Sequence, residues 1–516
     1  MFSRQLLRQR PRLSTITRLS HHSAPRPLTR FASTGTQPKT FLTSTTAIAF
    51  GAGLVSATAL YWFTSRSNQT PNSNSSFAEA SKTLGSRKDT SIPDLNKLGL
   101  SDQIAYSPVP TSEDITRQLN EHAFSVSGGG KLVRRYDGTQ LASNSPCEDA
   151  FIHGSFSNPL NKADEDWLAW GVFDGHCGWQ LSNLLTKQLI PYVRRSLDNA
   201  KPKDGSRLSD EDIQEAIRSA FTSLDDILVK SAVATIESNL SFAEKARRLE
   251  AAYAGSCALL ALLDPQSRKL TVASTGDCRA VLGQKTADGK WTATDLTTDC
   301  TGATPSEVAR IQAQFPDEPE IVKGGRIWGM QPSRTFGDGM WKWPAALKET
   351  LRNYYNGLSL PSTVRYGAYK EGPYLTAEPL VSTTKIPESG PSFLILATDG
   401  LWDAMTSKQA VDLVGRWVEW QAQGQGKPVK PKSSDFGEVI LGRKQQCKFE
   451  EEKLTLQDNN AAVHLVRNGL GGGDEKMVQG ALTFRYPNSR DIRDDITVQV
   501  VFFAPTSGKG KWSETK

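Results

Sequence analysis

"SCALLALLDPQSRKLTVASTGDCRAVLG", residues 256–283, carries three short apolar runs separated by DPQS and TGDC. Apolar runs of this length between such breakers read as strands, and three strands in succession joined by tight turns behave as an antiparallel meander. Working outward, WLAWGVF (167–173), SFLILAT (392–398) and ITVQVVFF (496–503) have the same strand character. They alternate with patterns of helical period at WQLSNLLTKQLIPYVRRSL (179–197), DEDIQEAIRSAFTSLDDILVKS (210–231) and SKQAVDLVGRWVEWQ (407–421). Long helices beside antiparallel strands predict a layered α+β fold.

The chain has 516 residues and a net charge of +6, room for several domains or one enlarged domain with tails. The positive excess is local. Eight of the 61 Lys and Arg residues fall in residues 1–40, which hold no Asp or Glu, so the remainder carries 53 basic against 55 acidic residues. A body so balanced gives no electrostatic footprint for nucleic acid. The leader itself is Arg- and Ser-rich with Leu and Ile on one helical face, the pattern of a mitochondrial presequence.

Residues 41–63 lie in a stretch without charge, long enough to cross a bilayer. Tyr61 and Trp62 suit a membrane interface, and Ala49, Gly53 and Ala57 share one helical face. The stretch reads either as an inner-membrane anchor or as a cleaved extension of the leader. A retained anchor would put the body in the intermembrane space; otherwise the body lies in the matrix. Residues 64–94 are polar and Ser/Asn-rich, a linker. A folded body is expected over 95–505, with a solvated surface insertion at about 421–460 and a tail at 506–516. The six cysteines form no C-x-x-C pair, so neither a disulfide framework nor a zinc site is indicated.

GVFDGHCGW (171–179) puts Asp174, Gly175 and His176 directly after an apolar run. Alone it reads as a turn, since Asp-Gly is a common hairpin pair. The pattern repeats, however. Asp277 follows KLTVAST, Asp399 and Asp403 follow SFLILAT, Asp494 and Asp495 precede ITVQVVFF, and Glu148 and Asp149 stand in SPCEDAF. Acids at so many strand ends either make turns or gather oxygen ligands, and an all-oxygen set suits hard cations such as Mg²⁺ or Mn²⁺.

In order, CEDAF, VFDGHCG, GSCALLALL, ASTGDCRAVL, LTTDC, GGRIWGMQPSRTFGD, LTAEP, FLILATDGLWDAM and RDDITVQVV resemble the blocks of the metal-dependent (PPM, type 2C) protein serine/threonine phosphatases, over about residues 115–503. The resemblance implies a four-layer fold, a central antiparallel β-sandwich flanked by helices on both sides. It implies two Mg²⁺ or Mn²⁺ ions at one end of the sandwich and a weaker third in some members. Asp174 would bridge the two ions; Glu148 and the Gly175 carbonyl would serve one, Asp399 and Asp494 the other. Asp494 is chosen over Asp495 because the family usually reads Asp-Asn there. Asp277, Asp399 and Asp403 match the third site. A hydroxide bridging the metals would attack phosphorus, with His176 as general acid toward the seryl or threonyl oxygen.

Two positions depart from that pattern. Asn144 stands where many members carry an Arg that holds the substrate phosphate, and a neutral amide supplies no charge. Cys300 follows Asp299 where His is common; Cys177, beside His176, reads as a small packed side chain. TSEDITRQLNEHAFSV (111–126) and NNAAVHLVRNGLGGGD (459–474) resemble the mitochondrial pyruvate dehydrogenase phosphatase branch, which implies the dehydrogenase E1 subunit as phosphoprotein substrate. The alternatives are the same chemistry on an intermembrane-space phosphoprotein, a non-catalytic phosphoprotein-binding relative, or a membrane structural protein with a globular tail. The last leaves the ordered acids unexplained.

Overall fold

The computed structural model describes residues 110–129, 131–161, 164–203, 207–352, 372–424, 427–433, 435–441 and 447–505. The expected leader, membrane stretch, linker and tail lie outside them. Among the described residues no helix is long and apolar enough to cross a membrane.

The chain begins with α1 (Ser112–Asn120), β1 (Phe124–Gly129), β2 (Val133–Leu141), β3 (Ala150–Phe156) and β4 (Trp167–His176). Three helices follow, α2 (Gln180–Ala200), α3 (Asp210–Glu237) and α4 (Phe242–Tyr253), then β5 (Gly255–Asp264), β6 (Lys269–Thr275), β7 (Arg279–Lys285) and β8 (Trp291–Asp295). A lobe of small elements comes next: α5 (Pro305–Gln314), β9 (Val322–Lys323), β10 (Arg326–Ile327), β11 (Phe336–Gly337), α6 (Gly339–Lys342) and α7 (Ala345–Arg352). The chain closes with β12 (Leu380–Lys385), β13 (Ser392–Ala397), α8 (Asp399–Trp402), α9 (Ser407–Ala422), α10 (Ala461–Gly469), α11 (Glu475–Thr483) and β14 (Ile496–Phe503).

The strands form two antiparallel sheets, ordered β1-β2-β14-β13-β7-β8 and β12-β6-β5-β4-β3, with β11 also paired to β5. The continuous apolar run in β5 follows from burial on both faces. Cys257, Leu259, Ala261 and Leu263 join β7, β13 and β14 side chains in a core between the sheets, whereas Ala258, Leu260 and Leu262 pack with α2 and α3. A third core joins the other face of the first sheet to α1, α9 and α10. The layers are therefore helix, sheet, sheet, helix, the α+β sandwich that the sequence resemblance implied.

The opening stretch departs from the meander expected of it. β5 and β6 pair as a hairpin across DPQS, but β7 pairs with β13 and β8 in the other sheet. TGDC is a corner between sheets. Gly276 turns it with φ +79°, and a Cβ there would stand 2.1 Å from Cys257 Sγ, so a side chain has neither the backbone freedom nor the space. The Cys300 N–H holds the corner by donating to the Gly276 carbonyl at 2.7 Å. The insertion also differs from solvated filler. Cys447, Phe449 and Leu456 are buried in the α9–α10 core, and Leu456 bridges to Val429 as an antiparallel strand neighbour.

Candidate active site

Register brings the strand-end acids to one edge. In the first sheet Ala397 lies opposite both Arg279 and Val498, so Asp399, Asp277 and the Asp494–Asp495 pair share an end. In the second, Phe173 lies opposite Ala150, and Asp174 opposite Cys257, which sets Glu148 and Asp149 beside Asp174. The TGDC corner joins the two edges. Backbone packing there is tight, since a Cβ on Gly175 would fall 2.2 Å from the Glu148 carbonyl oxygen and one on Gly400 2.2 Å from that of Asp495.

Asp174, Asp399, Asp277 and Asp149 act on one another. The Asp174 acid is pushed well above the usual carboxyl range, first by burial, then by Asp399, Asp149 and Asp277. Asp399 is raised strongly by burial, then by Asp277 and Asp403. The two side chains are hydrogen-bonded to each other. Burial and then Asp495 lift Asp149 to about 8, against the hydroxyls of Thr398 and Thr497, which donate to it at 2.9 and 2.7 Å. Burial also raises Asp277, although Gln331 Nε2 donates to it at 3.1 Å and Cys257 Sγ lies at 3.4 Å. Among the described residues no three His, Cys, Asp or Glu side chains close around a single point. Carboxylates crowded this way at a cleft have oxygen donors suited to hard divalent cations.

Glu148 is held open by its neighbours: Oε1 accepts the Gly178 N–H at 2.7 Å and Oε2 accepts Asn144 Nδ2 at 3.1 Å. Asp495 is buried and occupied by donors. It accepts the backbone N–H groups of Ser143, Asn144 (2.8 Å) and Glu148 (2.9 Å), and Asn144 Nδ2 at 2.9 Å. Asp494 is half-buried, ion-paired to Arg490, and accepts the Asp495 N–H. Asp403 is exposed and lines a groove of about 590 Å³ with Asp277, Asp399, Arg279 and Arg326. Asn144 thus sits at the site, but its amide nitrogen serves two carboxylates.

His176 meets a partner that sequence reading did not assign. Its Nε2 lies 2.9 and 3.1 Å from the carboxylate oxygens of fully buried Asp338, and Nδ1 makes no hydrogen bond among the described residues. Burial opposes charge on the imidazole, yet Asp338, with Asp277 and Glu148, outweighs it and the His176 pKa is raised. Asp338 adopts φ +50° before α6. Its loop is fastened to α3, where Asp225 accepts the Gly337 N–H at 2.7 Å and pairs with Lys342 at 2.7 Å.

Comparison with known proteins identifies the class. Residues 138–430 match the protein phosphatase 2C family. The chain is 38% identical over 402 residues to a protein phosphatase 2C homolog of Schizosaccharomyces pombe, covering 76% of this chain and 86% of that one. It is 31% identical over 457 residues (84% and 77%) to the mitochondrial pyruvate dehydrogenase (acetyl-transferring) phosphatase 1 of Saccharomyces cerevisiae. Identity to the human protein of the same name is 29% over 460 residues (75% and 81%). The chain belongs to the protein phosphatase 2C family. It is a protein serine/threonine phosphatase, and its relatives include the pyruvate dehydrogenase phosphatases to whose branch the sequence pointed.

Proposed function

We propose that this phosphatase acts in mitochondria on the phosphorylated E1 subunit of pyruvate dehydrogenase, with two Mg²⁺ or Mn²⁺ ions at the acid-lined edge. The observation that carries the reading is the hydrogen-bonded Asp174–Asp399 pair crowded by Asp149 and Asp277, a set of acids whose ionised forms repel one another and would be stabilised together by divalent cations. Glu148, Asp174, the Gly175 carbonyl, Asp399 and Asp494 would hold the pair of ions, and Asp277, Asp399 and Asp403 a weaker third. Asp495 is committed to four N–H donors that shape the 143–148 loop, which leaves Asp494, with a surface pairing to Arg490, as the ligand of the two. When bound, such ions supply Lewis acidity and lower the pKa of water toward neutrality.

The chain's own groups do the rest. Asp338 fixes the His176 ring through Nε2 and favours its charged form, so Nδ1 can pass a proton to the departing seryl or threonyl oxygen. Asn144 offers no charge to the phosphate, so binding leans on the ions. The acid-free Arg/Ser leader and the mitochondrial relatives support the compartment; the relatives' names support the substrate.

The test is phosphate release from phosphorylated E1 by metal-stripped protein, with and without Mg²⁺ or Mn²⁺. Asp174→Asn should lower turnover at least about a hundredfold, a loss of several kcal/mol of barrier stabilisation. Full activity of that variant, or of chelated enzyme, overturns the chemistry. Metal-dependent hydrolysis of p-nitrophenyl phosphate without action on E1 overturns the substrate alone.

A further inference from the structure

Arg326 and Gln331 line the same groove as Asp277, Asp399 and Asp403, yet neither is an acid and no step of the chemistry uses them. Ile327 and Met330 exchange backbone hydrogen bonds at 2.7 and 2.9 Å across a two-residue turn, with Trp328 and Gly329 both at positive φ, +45° and +87°. Such a turn closes a tight hairpin, and it sets Arg326 opposite Gln331. Arg326 Nη2 donates to Gln331 Oε1 at 3.0 Å, and Nη1 donates to the Gly329 carbonyl at 3.3 Å. A guanidinium has donors only, so the amide oxygen of Gln331 faces Arg326 and the amide nitrogen is turned away from it. That nitrogen donates to Asp277 Oδ2 at 3.1 Å.

The backbone around Gln331 is fastened to the corner that carries Asp277. The Gln331 carbonyl accepts the Gly302 N–H at 3.0 Å, Pro332 bridges to Thr301, and the Ser333 N–H donates to the Cys300 carbonyl at 2.8 Å. Cys300 in turn holds Gly276. Asp277 is buried and gripped from two sides, by Gln331 on Oδ2 and by Cys257 Sγ of β5 on Oδ1 at 3.4 Å. A carboxylate has about four lone-pair positions, so two donors fix its plane and still leave each oxygen able to accept. Both of these Arg326 hydrogen bonds go to neutral oxygens, so what the guanidinium supplies there is direction.

We propose that Gln331 is a positioning residue for Asp277, with Arg326 fixing the sense of its amide. The pair holds the carboxylate as an acceptor on the groove that Asp399 and Asp403 share, and so sets the affinity of the third cation. The inference rests on the reading of those three acids as the weaker ion site. Because the relay belongs to the lobe between β8 and β12, displacement of its hairpin loosens that ion.

Full-length protein, stripped of metal, is titrated with Mn²⁺ by calorimetry, with free Mn²⁺ read by electron paramagnetic resonance. Wild type is expected to show tight binding followed by a weaker step. Gln331→Met, which keeps the length of the side chain and removes its amide, should weaken the weaker step about tenfold, the loss typical of a group that orients a metal ligand, and leave tight binding within about twofold. Arg326→Met, at an exposed position, should act in the same direction. That sign is diagnostic, since taking a positive charge from the groove would by itself tighten a cation. Arg326→Lys, which keeps a donor for Oε1, should retain most of the affinity, and the double methionine variant should lose no more than Gln331→Met alone. A weaker step unchanged in Gln331→Met, one weakened by the same factor as the tight binding, tighter binding by Arg326→Met, or a wild type with no weaker step overturns the proposal. Wild type that binds no Mn²⁺ at all overturns the metal reading beneath it.

Discussion

Gly255 stands where His176 and Asp338 meet, and the space it leaves is what permits their contact. A Cβ there would lie 2.0 Å from His176 Nε2 and 2.4 Å from both Asp338 oxygens. Gly255→Ala should therefore part the pair, as Asp338→Asn should unfasten it. If His176 protonates the leaving oxygen, either change slows phenyl phosphate about a hundredfold. p-Nitrophenyl phosphate, whose leaving group departs without a proton, is largely spared; equal slowing of both would remove His176 from that role. Little of this pair was legible in the sequence. Asp338 ends the GGRIWGMQPSRTFGD block, but nothing in its spacing points to a histidine 162 residues away. Asp174, Asp277 and Asp399 were legible because each closes an apolar run, and strand register carries all of them to one edge. The Asp-Asn pattern of the resemblance prefers Asp494 to Asp495; the backbone donors that occupy Asp495 were not legible, because spacing does not encode them.

At the scale of elements, α3 and α6 form a latch behind the site. Asp225 and Lys342 are both buried, and Lys342 Nζ also donates to the Thr335 carbonyl at 2.9 Å. Burial pushes the Asp225 carboxyl up and Lys342 pulls it back, so removing the amine strands an acid inside the protein. Lys342→Met should cost about 3–5 kcal/mol of unfolding free energy, read by urea titration. Adding Asp225→Leu should recover much of that cost, because the stranded group goes too; a double variant no more stable than Lys342→Met alone contradicts the latch. The amphipathic pattern revealed α3, with Ser209 and Asp212 forming its capping box, but it could not show which helical acid meets a lysine 117 residues on. Strand runs were legible where both faces are buried, as in β5, β13 and β14. β12, partly exposed along its length, has no such run, and the sheet switch at TGDC is hidden because a corner and a hairpin turn use the same residues.

For the molecule as a whole, packed cores between the sheets and on their outer faces hold mutually repelling acids at one edge, and that arrangement couples stability to pH and to cations. Unfolded carboxylates titrate near 4, whereas Asp149 is held at about 8 and Asp174 and Asp399 are also raised. Between those limits the metal-free fold binds more protons than the unfolded chain, so its stability falls as pH rises toward about 8. His153 and His464, both lowered to about 4 by burial, act in the opposite direction. Unfolded imidazoles charge below about 6.5, and stability is lost as pH drops from there toward 4. The two windows overlap, and the three raised acids outnumber the two imidazoles, so the acid arm governs and metal-free protein should lose stability as pH rises from about 6 to about 8. Mg²⁺ competes with the protons on the acids and removes the first arm. At a hundredfold excess over its Kd it should add about 3 kcal/mol to the fold at pH 8 and distinctly less at about pH 6, where the protons resist displacement. Thermal unfolding with and without Mg²⁺ at the two pH values measures the difference. Equal gains at both would mean that cation and proton do not share the same carboxylates, and the edge where Asp174 meets Asp399 would lose its claim to the metals.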